Sequence, residues 1–309
     1  MRKNLTLTED FNDIKQCNVF IATVPTPITS NKKPDLRPLK NVCETISKIL
    51  KKGDIVVFES TVYPGATEEI CKPILEKNSN SLLCGKDFFL GYSPERVNPG
   101  DRVHTIDKID KVISGQNKKV ENILKEIYSN LTSGKIFIAK NIKVAEASKI
   151  IENSQRDINI AFINEIAKIC NKLNISVYDV LEASSTKWNF LPFQPGLVGG
   201  HCIGVDPYYL SYKSQSLNID PKVILSGRTT NDEMANFLAK NISKNLEKKS
   251  RILFLGMTFK ENVPDLRNSK SMDMINFFKK RHDVILHDPF ISDKRYGIVD
   301  FNKIKKGFF

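Results

Sequence analysis

Val19-Phe20-Ile21-Ala22-Thr23 is a run of residues that favour extended backbone, and it stops against Pro25 and Pro27. Read as a buried strand, it sets the pattern for the first half of the chain. Ile55-Val56-Val57-Phe58 is a second such run, and Leu36 to Leu50 between them reads as a helix. A helix from about Ala66 to Leu75 follows, then strands near Phe88-Phe89-Leu90, Val112-Ile113 and Lys135-Ile136-Phe137-Ile138. Short apolar runs alternating with amphipathic helices predict a parallel sheet with helices on both faces.

Beyond this region the periodicity changes. From about Val144 to Leu173, apolar residues at Ile151, Ile158, Phe162, Ile166, Ile169 and Leu173 recur mostly at three- and four-residue steps, which predicts one long helix. So long a helix in mid-chain packs against another subunit or bridges two domains. A helix near Val177 to Ala183, an irregular stretch from Lys187 to Gly204 and a helix from roughly Lys222 to Leu246 complete a central helical region. The strand–helix–strand pattern then restarts, with Arg251 to Leu255, a helix from about Ser269 to Lys280, and Val284 to His287 running into Asp288-Pro289. The expected class is α/β in three parts. Residues 1–142 form an incomplete Rossmann-like domain, 143–247 a central helical domain with the long helix, and 248–309 an incomplete second Rossmann-like domain.

Composition narrows the functional classes. With 40% hydrophobic and 27% charged residues the chain reads as globular and neither fibrous nor disordered. No apolar run reaches the ~18 residues that span a bilayer, so no membrane segment is expected. Met1-Arg2-Lys3-Asn4 has no apolar core behind it, so it does not read as a secretion signal, and a cytoplasmic address follows. The net charge of +12 is spread along the chain rather than clustered, with lysine pairs at helix ends such as Lys118-Lys119 and Lys279-Lys280. That describes a solvated basic surface, part of it available to an anionic small substrate, and no nucleic-acid footprint is expected. The six cysteines show no C-x-x-C pair and no metal-like spacing to the four histidines, so a metal site is not expected.

Chemistry gathers at Gly199-Gly200-His201-Cys202-Ile203-Gly204-Val205-Asp206. Glycines at 196, 199, 200 and 204 allow backbone to close around one thiol, as a threaded substrate requires. A buried cysteine in a turn fits the same residues. Asp206 stands four positions on and faces Cys202 if a helix begins there. Lys149 and Asn153, also four apart on the long helix, can hold an oxyanion by charge and donation, although such pairs are common on helix surfaces. Glu95 in Ser93-Pro94-Glu95-Arg96 follows a strand, where α/β domains place their sites, but alone it reads equally as a loop residue.

Together these runs resemble the UDP-glucose/GDP-mannose dehydrogenase family over nearly the whole chain. The matching runs are Val24 to Pro27, Glu59 to Gly65, Tyr92 to Arg96, Glu146 to Asn153, the Gly-Gly-His-Cys loop, and Gly256 to Lys260 with Arg267-Asn268-Ser269. Thr186 to Phe193 and Asp206 to Leu210 look most like the branch that oxidises UDP-N-acetylhexosamines, the Vi-polysaccharide type among them. The resemblance implies oxidation of a sugar C6 alcohol to a carboxylate with NAD, for surface polysaccharide. It implies that Cys202 is the nucleophile, that Lys149 and Asn153 stabilise the oxyanion, and that Asp206 holds a water. Glu95 would assist thioester hydrolysis, with Thr61 ordering a water. Val24, Pro25, Thr26, Ser60, Thr61 and Val62 would line the nicotinamide side, and Arg267 would reach the pyrophosphate. Arg96, Lys149, Phe193, Gly196, Gly199, Phe259 and Lys260, with Glu95, would contact the UDP-sugar. A homodimer through the long helix is expected from its apolar stripe, Ile151 to Leu173.

One departure stands out. The family opens with a strand, a Gly-x-Gly-x-x-Gly turn and a helix, whereas here no two glycines stand two positions apart. The chain is therefore read as starting in the later part of its dinucleotide-binding domain, with the second sheet also short. The rival expectation is a catalytically inactive fragment that at most oligomerises through the long helix.

Overall fold

The computed structural model describes residues 5–79 and 81–300. It falls into two compact units, the first ending at Ile150 and the second starting at Ile151. Among the described residues no helix is long and apolar enough to cross a membrane.

The first unit is built on a five-stranded sheet with strands in chain order, β1 (Val19–Ala22), β2 (Ile55–Phe58), β3 (Phe89–Tyr92), β4 (Lys111–Gly115) and β5 (Ile136–Ile138). Helices α1 (Arg37–Ser47), α2 (Lys72–Lys77) and α3 (Lys118–Ser129) connect them. β2 is buried along its whole length, which is why its sequence is continuously apolar rather than alternating. Ile55, Val57 and Ile113 on the strands close a core with Val120, Leu124 and Tyr128 of α3. Asn117 caps α3, its side chain accepting the Val120 N–H at 3.0 Å.

The sheet departs from the all-parallel expectation at one place. β1–β2, β2–β3 and β4–β5 are parallel, but β3 and β4 run antiparallel, with Gly91 opposite Gly115 and Tyr92 opposite Ser114. No helix is present between Tyr92 and Lys111. A parallel return needs a crossover, usually a helix, and a chain lacking one can re-enter the sheet the other way.

The long helix α4 (Ile142–Leu173) starts in the first unit and runs on into the second. The second unit also contains α5 (Val177–Ser185), α6 (Asp206–Ser216), α7 (Lys222–Ser243), β6 (Arg251–Leu255), α8 (Lys270–Phe278) and β7 (Asp283–His287). β6 and β7 pair in parallel, and Met257, Ile275 and Leu286 form the small core beneath them. Within this unit α4 buries a mixed face, Ser154, Asp157 and Asn164 beside Ala161, Ile163 and Cys170, whereas Ile151, Phe162, Ile169 and Leu173 are exposed. Of the apolar stripe read from the sequence these four residues face outward, and Ile158 and Ile166 are half-buried.

Candidate active site

In the first unit the parallel pairing of β1 and β2 places Ala22 opposite Phe58, so the segments that follow them leave the sheet side by side. The Ser60 hydroxyl donates to the Val24 carbonyl at 2.6 Å and ties the two together. Val24, Pro25, Thr26, Ser60, Thr61 and Val62 are thus brought to one sheet edge, at the carboxyl ends of parallel strands where α/β sheets leave a crevice for ligands. Pro25 is exposed, Val24, Thr26 and Thr61 are half-buried, and Ser60 and Val62 are buried.

β3 delivers Glu95 to the same edge. Its N–H donates to the Glu59 carbonyl at 3.4 Å, and the Tyr92 hydroxyl donates to the Ser60 carbonyl at 3.1 Å. The Glu95 carboxylate accepts the Val97 N–H and lies 3.7 Å from Lys111 Nζ. Arg96 turns to the Asp110 carbonyl, 3.3 Å away.

Lys111 is a residue that sequence reasoning passed over. It is 2% exposed, with Glu59 and Glu95 each 3.7 Å from its ammonium and the Tyr128 ring 5.2 Å from it. Tyr128 donates to Glu59, and burial followed by the Glu59 charge pushes its phenol well above the ordinary range, so it remains a donor. At the head of an apolar strand a lysine reads as a solvated end, and only its two distant carboxylates reveal otherwise.

In the second unit the carbonyl of Cys202 accepts the N–H groups of Val205 at 2.9 Å and Asp206 at 2.8 Å, forming the turn from which α6 starts. Asp206 is 3% exposed at the first position of that helix, and its carboxylate accepts from the Asn153 amide at 2.5 Å. Asn153 and Asp206, both singled out from the sequence, are therefore direct partners. The bond orients the Asn153 amide and uses one of its two N–H groups. Lys149 precedes Asn153 by four residues on α4 and is 8% exposed.

The glycines of the Cys202 loop have separate causes. Gly200 has φ +79°, in the left-handed region, and a Cβ there would lie 2.6 Å from the Phe259 ring. A Cβ on Gly199 would lie 2.6 Å from the Asn268 carbonyl oxygen. Gly196 is clipped at both backbone groups by Asn164, whose Oδ1 accepts its N–H and whose Nδ2 donates to its carbonyl, each at 2.9 Å. Asn164 passes the chain to Asn231 at 2.8 Å, and Asn231 donates to Asp157. Arg228, 2% exposed, bridges Asp157 and Asp232 at 2.5 Å each. This network joins α4 to α7 beneath the loop, and none of its five side chains was foreseen.

The segment after β6 closes on the same loop. Asp288 accepts the Met257 N–H at 2.7 Å and fixes its start, and Asn268 donates to the Gly200 carbonyl at 3.1 Å. Phe259 covers the two glycines, and its ring meets His201 edge-on at 5.9 Å. Arg267 forks onto Asp265, with its nearest nitrogen 2.6 Å away, and this bond leads the causes that hold the Asp265 carboxyl below its usual range. Lys260 is half-buried next to Phe259, and Phe193 is half-buried ahead of Gly196.

The models of the UDP-glucose/GDP-mannose dehydrogenase family match the NAD binding domain at residues 1–132, the central domain at 143–233 and the UDP binding domain at 253–305. Protein CapL of Staphylococcus aureus is 54% identical over 90% of this chain, which spans 66% of that protein. A UDP-N-acetyl-D-glucosamine 6-dehydrogenase of Pseudomonas aeruginosa is 50% identical over 95% of the chain, which spans 72% of it. A solved UDP-D-ManNAc dehydrogenase from Pyrococcus horikoshii superposes with a TM-score of 0.82 at 32% identity, over 92% of this chain and 68% of that one. On these matches the chain belongs to the UDP-glucose/GDP-mannose dehydrogenase family.

Proposed function

We propose that the protein is an NAD-dependent 6-dehydrogenase that oxidises the C6 hydroxymethyl group of a UDP-N-acetylhexosamine to the uronic acid, for surface polysaccharide synthesis in the cytoplasm. The observation that carries this reading is Cys202 at the start of the turn into α6, with the Asp206 carboxylate held by Asn153. A thiol, a fixed carboxylate and an oriented amide on one short loop and its supporting helix suit acyl chemistry on sulfur. The named activity of the Pseudomonas aeruginosa relative supports the same substrate class. A catalytically inactive fragment is not favoured, because the family's NAD binding domain matches residues 1–132 and relatives at 48–50% identity are named 6-dehydrogenases.

The crevice after β1 and β2 suits a dinucleotide, since its rim carries the exposed Pro25 between the half-buried Val24 and Thr26 at the carboxyl ends of parallel strands. Ser60, Thr61 and Val62 would complete the nicotinamide side, and Arg267 would reach the pyrophosphate. NAD, when bound, would supply the acceptor for the two hydrides that C6 loses in its two oxidations. Cys202 attacks the aldehyde carbon produced by the first. Its thiol proton passes to a neighbouring base, and the carbonyl electron pair moves to oxygen, which Lys149 and Asn153 would stabilise. Loss of the second hydride leaves a thioester. Attack by water, activated by Glu95 with Thr61 ordering it, releases the carboxylate and restores the thiol. Phe193, Gly196, Gly199, Phe259 and Lys260 hold the UDP-sugar in this proposal, with Arg96 beside Glu95. It divides the chain at 1–142, 143–247 and 248–309. It includes a homodimer through α4, supported by the exposed Ile151, Phe162, Ile169 and Leu173.

The test is turnover of UDP-N-acetylglucosamine, its galacto epimer and UDP-glucose with NAD, followed by NADH absorbance and product mass. Acid from a UDP-N-acetylhexosamine, with two NADH formed for each, is expected. Failure of every UDP-N-acetylhexosamine to yield acid sinks the reading.

A further inference from the structure

The Cys202 thiol has an immediate neighbour to which the mechanism above gives no role. His201 Nδ1 lies 3.3 Å from Cys202 Sγ, within hydrogen-bonding distance for sulfur. On the far side of the ring Nε2 lies 3.9 Å from the Asp265 carboxylate. Consecutive side chains ordinarily point apart, so two features that hold this ring matter. Gly200, with its left-handed φ, turns the backbone immediately before His201, and the Phe259 ring packs edge-on against the imidazole. Arg267 in turn clamps Asp265 through two nitrogens and keeps it ionised.

From this line of groups we infer that His201 is a further catalytic residue, the base that takes the Cys202 thiol proton. The inference rests on the dehydrogenase reading for its substrate but not for its geometry. With the Nε2–H directed at Asp265, the lone pair on Nδ1 faces the thiol. As sulfur attacks the C6 aldehyde, the S–H bond breaks and its proton passes to Nδ1. The sulfur electron pair forms the S–C6 bond, and the carbonyl pair moves to oxygen. When water later cleaves the thioester, the imidazolium returns the proton to the departing thiolate. No oxidant is consumed in either proton transfer.

Asp265, Arg267 and Asp206 each bear on the charge of the pair. Asp265 favours the imidazolium, and Arg267, which interacts electrostatically with Cys202, favours the thiolate. Asp206, four residues on, opposes the thiolate, but its carboxylate is engaged by Asn153. An imidazolium beside sulfur lowers a thiol from about 8.5 toward neutrality or below.

Alkylation of Cys202 by iodoacetamide across pH tests this without NAD or sugar, with the Cys202 peptide read by mass spectrometry and the exposed Cys17 as internal reference. In the parent chain Cys202 should still react readily at about pH 6.5. In His201→Gln its midpoint should rise by a unit or more, slowing the reaction at that pH about tenfold. Asp265→Asn should shift the midpoint the same way by less, and Cys17 should not change. If His201→Gln leaves the Cys202 profile where it was, the inference is overturned; if that variant does not fold, an unshifted profile in Asp265→Asn overturns it. A chain that fails to oxidise any UDP-sugar but shows the shift would refute the dehydrogenase reading and leave the pair intact.

Discussion

Glu146, at the start of α4, accepts the backbone N–H of Thr67 at 2.9 Å and that of Gly65 as well, from a side chain with no exposed surface. The carboxylate is the buried anchor of the turn that follows Thr61 and Val62. Gly65 itself has φ +97°, so this turn depends on a backbone that few other residues adopt.

Burial leads the causes that raise the Glu146 carboxyl from 4.5 to about 7, against the pull of the amide donors. Between those values the folded protein holds a proton that the unfolded chain has released. Stability is therefore favoured at low pH and lost as pH rises through about 7, by roughly 3 kcal/mol over the window. Denaturant unfolding at about pH 5 and pH 8 should show the parent losing this increment and Glu146→Gln lacking the slope. Equal pH slopes in both proteins would contradict the assignment.

Lys111→Met should leave the Glu59 and Glu95 carboxylates without their shared cation, at a cost of roughly 1–3 kcal/mol because Glu95 is 40% exposed and partly solvated. The double variant Lys111→Met with Glu59→Gln should recover part of that loss, because it removes one of the stranded charges. Strict additivity in a double-mutant cycle would show that the two residues do not interact.

Asn164→Ala should strip the Gly196 N–H and carbonyl of their partners and leave the Asn231 amide oxygen without its donor. About 1–3 kcal/mol of stability should go. Hydrogen exchange at the Gly196 amide should accelerate at least about tenfold, which separates a loosened loop from general destabilisation. Unchanged protection at Gly196 would rule out the clip.

Gly200→Ala has two separable costs. The left-handed backbone costs about 1–3 kcal/mol, and the new Cβ would meet the Phe259 ring at 2.6 Å. In a Phe259→Leu background the contact part should relax and the backbone part should persist. The difference in melting temperature between the two backgrounds measures the contact. Full rescue by Phe259→Leu would mean that the φ angle is not constraining.

Glu95→Gln should spare chemistry up to the thioester and slow its hydrolysis. With UDP-N-acetylhexosamine and NAD supplied, a sugar-nucleotide adduct on Cys202 should accumulate and be seen by intact mass. In the Cys202→Ser protein no such adduct should form and acid formation should stop, since serine is a far weaker nucleophile near neutral pH. Acid formed at the parent rate by Cys202→Ser would remove the thiol from the mechanism.

The elements of the fold were legible in the sequence because they depend on local pattern. Ile55–Phe58 and Arg251–Leu255 lie where their apolar runs end, and α4 follows its three- and four-residue apolar steps. Cys202, Asp206 and Asn153 could be singled out by motif and spacing. Which of them touch could not, because the Asn153–Asp206 bond joins segments that only folding brings together. The same is true of Lys111, an unremarkable strand lysine until Glu59 and Glu95 converge on it from the ends of two other strands. The antiparallel turn of β4 was hidden because strand direction depends on how the intervening chain returns, and no residue in β4 encodes that. His201 was in plain view beside Cys202, yet its ring is aimed by Phe259 and Asp265 from beyond β6. Sequence periodicity reports which face of an element is apolar. Partners for charge and hydrogen bonds are chosen by distance in space, and for residues this far apart along the chain only the tertiary structure sets that distance.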